Sequence, residues 1–323
     1  MTLRAVVRGI GHYLPERVVE NAEFEKTLDT NDAWISSRTG IERRHFAAEG
    51  ETTSDLGVNA CEAALSDAGL VADDVDALIV ATSTPDLTFP SAATMIQGKL
   101  GMTRGFAFDV QAVCAGFAYA MTTANSLISS GQAQRVLVVG SETFSRLMDW
   151  TDRGTCVLFG DGAGAVLLEA RNAAGTPDDR GILAAEIHSD GRYKDILYVD
   201  GGVSTHTTGH LRMQGKEVFR HAVEKLAGTA RTTLAKAGLE PADVDWIVPH
   251  QANLRILTAT ADRLNVPMEK VVVTVQDHGN TSAASIPLAL SVAKADGRLK
   301  EGDVVVTGAI GGGLAWGSVV FRV

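Results

Sequence analysis

Leu65-Ser-Asp-Ala-Gly-Leu-Val-Ala-Asp-Asp-Val-Asp-Ala-Leu-Ile-Val80 and Leu234-Ala-Lys-Ala-Gly-Leu-Glu-Pro-Ala-Asp-Val-Asp-Trp-Ile-Val-Pro249 align without gaps at an offset of 169 residues and share seven of sixteen positions. Each copy follows a helical run, Ala60-Cys-Glu-Ala-Ala-Leu65 and Ala230-Arg-Thr-Thr-Leu234. Gly69 and Gly238 stand where a glycine closes a helix, and an apolar run after Val-Asp reads as a buried strand. A second pair, Arg135-Val-Leu-Val-Val-Gly140 and Asp303-Val-Val-Val-Thr-Gly308, lies 168 residues apart. Two such matches in order point to an internal duplication. The polar stretch 169–181, rich in Gly, Pro and charge, falls where the halves should join, giving units 1–172 and 173–323. Strand-like and helical runs alternate in both, which predicts an α/β fold with mostly parallel sheets and helices on their faces.

Composition narrows the class. At 323 residues with 45% hydrophobic content the chain can bury a large core without staples. Its net charge of −10 argues against general nucleic-acid binding, which needs a broad basic surface. No apolar run is long enough to cross a membrane and the start lacks a signal-like segment, so the expected location is the cytoplasm, with no membrane partner. The three cysteines, Cys61, Cys114 and Cys156, show no CxxC spacing and suggest neither a disulfide framework nor a metal site.

Cys114 follows a strand-like run ending at Val110 and opens a helical run rich in small residues and closed by Gly131. That position at a helix start predicts a thiol pKa lowered by unpaired amides and the helix dipole, hence a nucleophile. A buried structural cysteine is the alternative on this stretch alone. Cys61, on a helix face, and Cys156, in an apolar run, fit that alternative better. His250 stands at the carboxyl end of the strand closing at Pro249, where open α/β sheets place functional groups. Asn280 follows the chain-breaking Gly279 and precedes a helix start, which by itself reads as an N-cap. Gly311-Gly-Gly313 forms a turn between two strands; its amides suit an oxyanion, or it is a tight turn and no more. Gly160, Gly162 and Gly164 precede a strand rather than a helix, so a nucleotide-binding turn is rejected. His206 and His210 lie in a polar loop with no carboxylate at ligand spacing.

Taken together, Asn31-Asp-Ala-Trp-Ile-Ser-Ser-Arg38, Phe89-Pro-Ser-Ala-Ala93, Cys114-Ala-Gly-Phe117, Thr151-Asp-Arg-Gly154, Val248-Pro-His-Gln-Ala-Asn253, His278-Gly-Asn-Thr-Ser282 and Gly311-Gly-Gly-Leu-Ala-Trp-Gly317 resemble the thiolase-like condensing enzymes, specifically the β-ketoacyl-acyl-carrier-protein synthase III family, over nearly the whole chain. The resemblance implies a thiolase-like fold of two duplicated halves in a five-layered αβαβα sandwich, usually as a homodimer. It implies a condensing acyltransferase that starts fatty acid biosynthesis from a short acyl-CoA, acetyl-CoA first, and malonyl-acyl carrier protein, with no metal or redox cofactor. Cys114, His250 and Asn280 then form the catalytic triad, and the amides of Cys114 and Gly312 the oxyanion hole. Trp34, Arg38, Arg153 and Asn253 would bind CoA, with Trp34 and Arg153 sandwiching the adenine. Lys216, Arg220, Arg255 and Arg263 would receive the carrier protein, although Asp262 beside Arg263 departs from a doubly basic pattern. Phe89 would reach across the dimer, and Phe144 and Phe159 would line the acyl pocket. A starter-condensing enzyme or acyltransferase of secondary metabolism is the near alternative. A carrier-binding subunit without catalysis is the distant one, disfavoured because the triad and the glycine turn are all present.

Overall fold

The computed structural model describes residues 2–323. Strands β1 (Thr2–Tyr13), β2 (Ala77–Ala81), β3 (Phe106–Val110), β4 (Arg135–Thr143) and β5 (Asp161–Ala173) make one sheet in the order β1-β5-β4-β2-β3. Strands β6 (Gly181–Ser189), β7 (Trp246–Pro249), β8 (Val304–Gly311) and β9 (Ala315–Arg322) make a second in the order β7-β8-β9-β6. An isolated parallel bridge between Ile247 and Val271 extends this sheet beyond β7, in the place that β3 holds beside β2. Both sheets are mixed. Parallel pairing joins β2 to β3, β2 to β4 and β7 to β8, while four other pairs run antiparallel. The expectation of mostly parallel sheets therefore fails, because β8 turns into β9 through three residues and no crossover helix separates β4 from β5.

Helices fill three layers around the sheets: α1 (Asp32–Thr39), α2 (Thr53–Ala68), α3 (Ala92–Lys99), α4 (Gly116–Ser129), α5 (Gly215–Lys236), α6 (Leu254–Leu264) and α7 (Ser285–Ala295). Helices α2 and α3 cover the first sheet, α5 and α6 lie outside the second, and α4 and α7 are sandwiched between the two sheets. The central helices owe their place to small residues. On α4, Gly116, Ala118, Ala120 and Ala124 are buried, and α7 approaches β5 so closely that a Cβ on Gly164 would lie 2.7 Å from the Leu288 amide nitrogen. The result is the five-layered thiolase-like fold.

The repeat is visible in these elements at a single offset. Ala77 and Trp246 open β2 and β7, Gly116 and Ser285 open α4 and α7, and Arg135 and Val304 open β4 and β8, each pair 169 residues apart. The strand β8 starts one residue later than the aligned sequence run suggested. Strand β5 continues to Ala173, so the link between the sheets is shorter than the polar stretch 169–181.

Candidate active site

The offset of 169 places two short 3-10 turns opposite each other, Val113–Ala115 before α4 and Ser282–Ala284 before α7. Cys114 sits in the first. Its neighbour Val113 has φ +50°, and Ser282, at the equivalent place in the second turn, has φ +49°. Left-handed backbone is disfavoured for a β-branched residue, so the packing around the turn holds it in place. Gly311 is the brace: a Cβ there would come within 2.7 Å of both the Cys114 nitrogen and the Ala112 oxygen. Only a residue without a side chain lets the glycine turn press against the Cys114 backbone.

Cys114, His250 and Asn280 line one cavity of about 250 Å³, together with Phe144 and Phe159. Each side chain is oriented by a specific bond. His250 follows β7, its amide bonded to the Gly308 carbonyl, and its Nδ1 lies 2.6 Å from Ser285 Oγ at the start of α7. Ser285 Oγ also accepts the Gln251 amide at 3.2 Å, and its own proton is free to be given to Nδ1. With that bond formed, Nε2 carries the imidazole hydrogen, and burial drives the His250 pKa down to about 3, so the ring is neutral. Asn280 Oδ1 accepts the Ser282 amide at 2.9 Å, which leaves its NH₂ as the free end. Asn280 is not the N-cap its sequence suggested, since Thr281 and Ala284 hold the N-cap positions of the 3-10 turn and of α7, and its bond to the Ser282 amide is an Asx turn that orients the donor.

The thiol departs from expectation. Burial pushes Cys114 up to about 12, helped by the nearby Glu142 charge and opposed by the Ser282 hydroxyl. A helix terminus is worth up to about 2 kcal/mol, whereas a rise of three units corresponds to about 4 kcal/mol. One 3-10 turn cannot offset complete burial, so Cys114 rests as a thiol. Cys61 is pushed up by burial as well, and Cys156 rises to about 11 for the same reason.

Other sequence-derived residues divide into groups. Trp34, Arg38 and Asn253 line the same cavity. Both Arg38 and Arg153 lie over the Trp34 ring, at 4.6 and 5.1 Å from its centroid. An adenine between Trp34 and Arg153 needs about 7 Å, two van der Waals contacts, so Arg153 must swing aside to admit one. Asn253 caps α6 through the Arg255 amide and donates to the Arg38 carbonyl, tying α6 to α1. Lys216, Arg220 and Arg255 are exposed on α5 and α6 around that mouth, with Arg220 paired to Glu217 at 2.6 Å. Arg263 lies apart from them, in a separate depression with His188, Lys225 and Trp316.

Phe144 and Phe159 stack at 4.8 Å, are buried and wall the cavity. Phe89 is 82% exposed on the loop before α3. Gly312 belongs to a second, wider opening of about 820 Å³ that shares Val113, Phe144, Leu197 and Leu211 with the first. His206 lines that opening, and Gly160, Gly162 and Gly164 lead into or lie within β5, as expected of a strand. Sequence reasoning passed over Ser285 and Glu142. The first carries no signal beyond a serine at a helix start, but the second is the lone carboxylate of a buried strand.

A buried thiol, a neutral imidazole donor and an oriented amide on the central seam of this fold define a thiolase-like condensing enzyme. Comparison with known proteins narrows the class. Residues 108–191 match the family 3-oxoacyl-[acyl-carrier-protein] synthase III, and residues 234–323 its C-terminal counterpart. The chain is 74% identical over 322 residues, all of both chains, to the β-ketoacyl-[acyl-carrier-protein] synthase III of Ruegeria pomeroyi. It is similar to the crystal structure of 3-oxoacyl-[acyl-carrier-protein] synthase III from Aquifex aeolicus, with a TM-score of 0.93 and 44% identity over 99% of this chain and 100% of that one. The priming β-ketosynthase of the R1128 polyketide pathway superposes with a TM-score of 0.94 at 35% identity, over 100% of this chain and 97% of that one. The chain belongs to the β-ketoacyl-acyl-carrier-protein synthase III family.

Proposed function

We propose that the protein joins a short acyl-CoA, acetyl-CoA first, to malonyl-acyl carrier protein by decarboxylating Claisen condensation, the step that starts fatty acid synthesis. The carrying observation is the convergence of Cys114, His250 and Asn280 on one cavity. Cys114 attacks the acyl thioester, CoA leaves, and the acyl group rests on sulfur, a thioester reactive enough for attack by carbon. Its tetrahedral oxyanion meets the Cys114 amide, which lies in a helical first turn and so has no intrahelical acceptor, and the Gly312 amide.

Malonyl-carrier then enters and loses carbon dioxide. Charge grows on its thioester oxygen, where His250 Nε2–H and the Asn280 NH₂ donate. Each such donor is worth roughly 10²-fold or more. The enolate carbon attacks acyl-Cys114, and β-ketoacyl-carrier is released with the sulfur free again. Both substrates are thioesters, and the route needs no electron carrier.

Units 1–172 and 173–323 divide the work in this reading, the first bringing the nucleophile and the second both donors. Trp34, Arg38, Arg153 and Asn253 hold CoA, and Lys216, Arg220 and Arg255 face the acidic carrier, with Arg263 outside the contact. The stacked Phe144 and Phe159 favour a short primer. The exposure of Phe89 suits a homodimer in which a second copy buries it. Identity of 74% over the whole length to a synthase III does not favour the secondary-metabolism alternative.

Intact-protein mass after brief exposure to acetyl-CoA tests the scheme. An acetyl adduct mapped to Cys114, discharged by malonyl-carrier with β-ketoacyl-carrier formed, is expected. Cys114→Ala should take no acyl group, while His250→Ala and Asn280→Ala should acylate but fail to decarboxylate. Condensation by Cys114→Ala would refute it.

A further inference from the structure

Glu142 lies near the end of β4 between Ser141 and Thr143 and is completely buried. Its Oε2 accepts from Thr84 Oγ1 at 2.7 Å, the Ser83 amide at 3.0 Å and Thr82 Oγ1 at 3.2 Å. Its Oε1 is buried without a hydrogen-bond partner, as is Ser282 Oγ. The groups that face it from the packed elements are the 82–84 hydroxyls and amide, the Ser282 hydroxyl and the Cys114 thiol, with no cation among them. Burial pushes the carboxyl up to about 7 against the lowering effect of the Thr84, Ser83, Ser282 and Thr82 donors. An isolated carboxylate in such a place is retained only at cost.

The repeat explains how these groups meet. At the offset of 169, Glu142 is equivalent to Gly311 and Ser282 to Val113. A Cβ on Gly311 would lie 3.0 Å from Val113 Cβ. Glu142 stands to Ser282 in the other half as Gly311 stands to Val113. Two residues before Glu142, on the same face of β4, a Cβ on Gly140 would fall within 2.7 Å of the Ala283 carbonyl carbon. The Ser282 hydroxyl consequently neighbours both the Cys114 thiol and the Glu142 carboxyl, close to each but not aligned as a formed bond in the resting site.

We propose that Cys114, Ser282 and Glu142 form a buried proton relay that activates the nucleophile, an inference that rests on the acyl-Cys114 reading above. As the sulfur–acyl bond forms, the S–H bond breaks and its proton passes to Ser282 Oγ while the Ser282 proton moves to Glu142. CoA leaves as thiolate and takes a proton from water. Glu142 holds its proton as a neutral acid while the acyl group occupies the sulfur. When the enolate carbon attacks and the carbon–sulfur bond breaks, the thiolate regains that proton along the same path. His250 is thereby free to remain the neutral Nε2–H donor in both halves of the cycle.

Glu142→Gln keeps the shape and cannot accept the proton. Ser282→Ala removes the hydroxyl but keeps the backbone amide that orients Asn280. Both variants should acylate Cys114 roughly 10²-fold more slowly in rapid-mixing mass measurements. They should lose the rise of acylation rate with pH around neutrality and show an equal slowing of Cys114 alkylation by iodoacetamide. Malonyl-carrier decarboxylation, which moves no thiol proton, should stay within about twofold of the parent, given that both donors are retained. Parental rates of acylation and alkylation in either variant overturn the relay, as does an equal loss of decarboxylation, the mark of a structural role. If Glu142→Gln does not fold, Ser282→Ala alone decides. If the parent protein takes no acyl group, the functional reading falls, and alkylation still decides whether the thiol depends on Glu142.

Discussion

Ser285→Ala removes one oxygen that touches no substrate in the proposed route. Its expected effect falls on one half of the reaction only. The hydroxyl lies 2.6 Å from His250 Nδ1 and fixes which imidazole nitrogen carries hydrogen. A buried acceptor left unsatisfied costs about 1–3 kcal/mol, and that energy now favours the Nε2–H tautomer. Without it, the ratio of Nε2–H to Nδ1–H tautomer should fall by roughly 5- to 150-fold at 1.36 kcal/mol per decade, toward equal populations. A ring held almost wholly as the Nε2–H donor then keeps about half of that population, so decarboxylation and condensation should fall by about twofold. Acylation of Cys114, which does not use the imidazole hydrogen, should be unchanged. The assay is paired: stopped-time intact mass for acylation, and carbon dioxide release from malonyl-carrier for the second half. Ser285→Thr, which keeps the hydroxyl, should recover much of the loss. Unchanged decarboxylation in Ser285→Ala, or acylation falling in step with it, would refute the tautomer argument.

Three further outcomes follow from the geometry. Gly311→Ala puts a Cβ 2.7 Å from the Cys114 nitrogen, so the nucleophile's turn must shift; acylation should fall at least tenfold, with stability lowered by about 1–3 kcal/mol in thermal unfolding, and parental acylation would count against the brace. Trp34→Ala removes the ring beneath Arg38 and Arg153; steady-state kinetics should show KM for acyl-CoA rising roughly 2- to 13-fold at little change in kcat, the equivalent of about 0.5–1.5 kcal/mol. His278 is held neutral by burial, with a pKa lowered to about 4. The unfolded chain protonates it below about pH 6.5, so its contribution is complete above that value and is lost as pH falls toward 4, at up to about 1.4 kcal/mol per pH unit. Denaturant unfolding of His278→Gln should show a shallower decline across this window, and an unchanged slope would refute the assignment.

How much of this was legible in the sequence varies with the physics involved. The duplication was readable because both copies repeat the same helix, glycine and strand, and Gly69 and Gly238 do adopt the left-handed φ expected of helix ends, +69° and +73°. The placement of Cys114, His250 and Asn280 at element boundaries was readable, and the structure brings the three to one cavity. Strand direction was not, since a connection such as 312–314 gives no sign of pairing until its partner is known. The thiol's protonation was misjudged because burial depends on the second half of the chain packing over the turn, a long-range effect no local stretch contains. Ser285 and Glu142 lay hidden for the same reason, as partners supplied across the seam. Arg44, buried with its guanidinium on the Val19 and Val157 carbonyls, is a further polar group that only the tertiary structure accounts for.

The seam around the starts of α4 and α7 brings together Ala81 of β2, Gly116 of α4, Gly140 of β4 and Ala283 of the turn before α7 at near-minimum separation. Cys114 lies in the turn before α4, Asn280 just before the turn into α7, and His250 is tied to α7 through Ser285, so the spacing of these four small residues acts as the alignment gauge of the proposed reaction. An added methyl group there moves thiol and donors relative to each other before it threatens the fold. Variation along this contact should therefore be read first in turnover and in primer choice, and only afterwards in melting temperature.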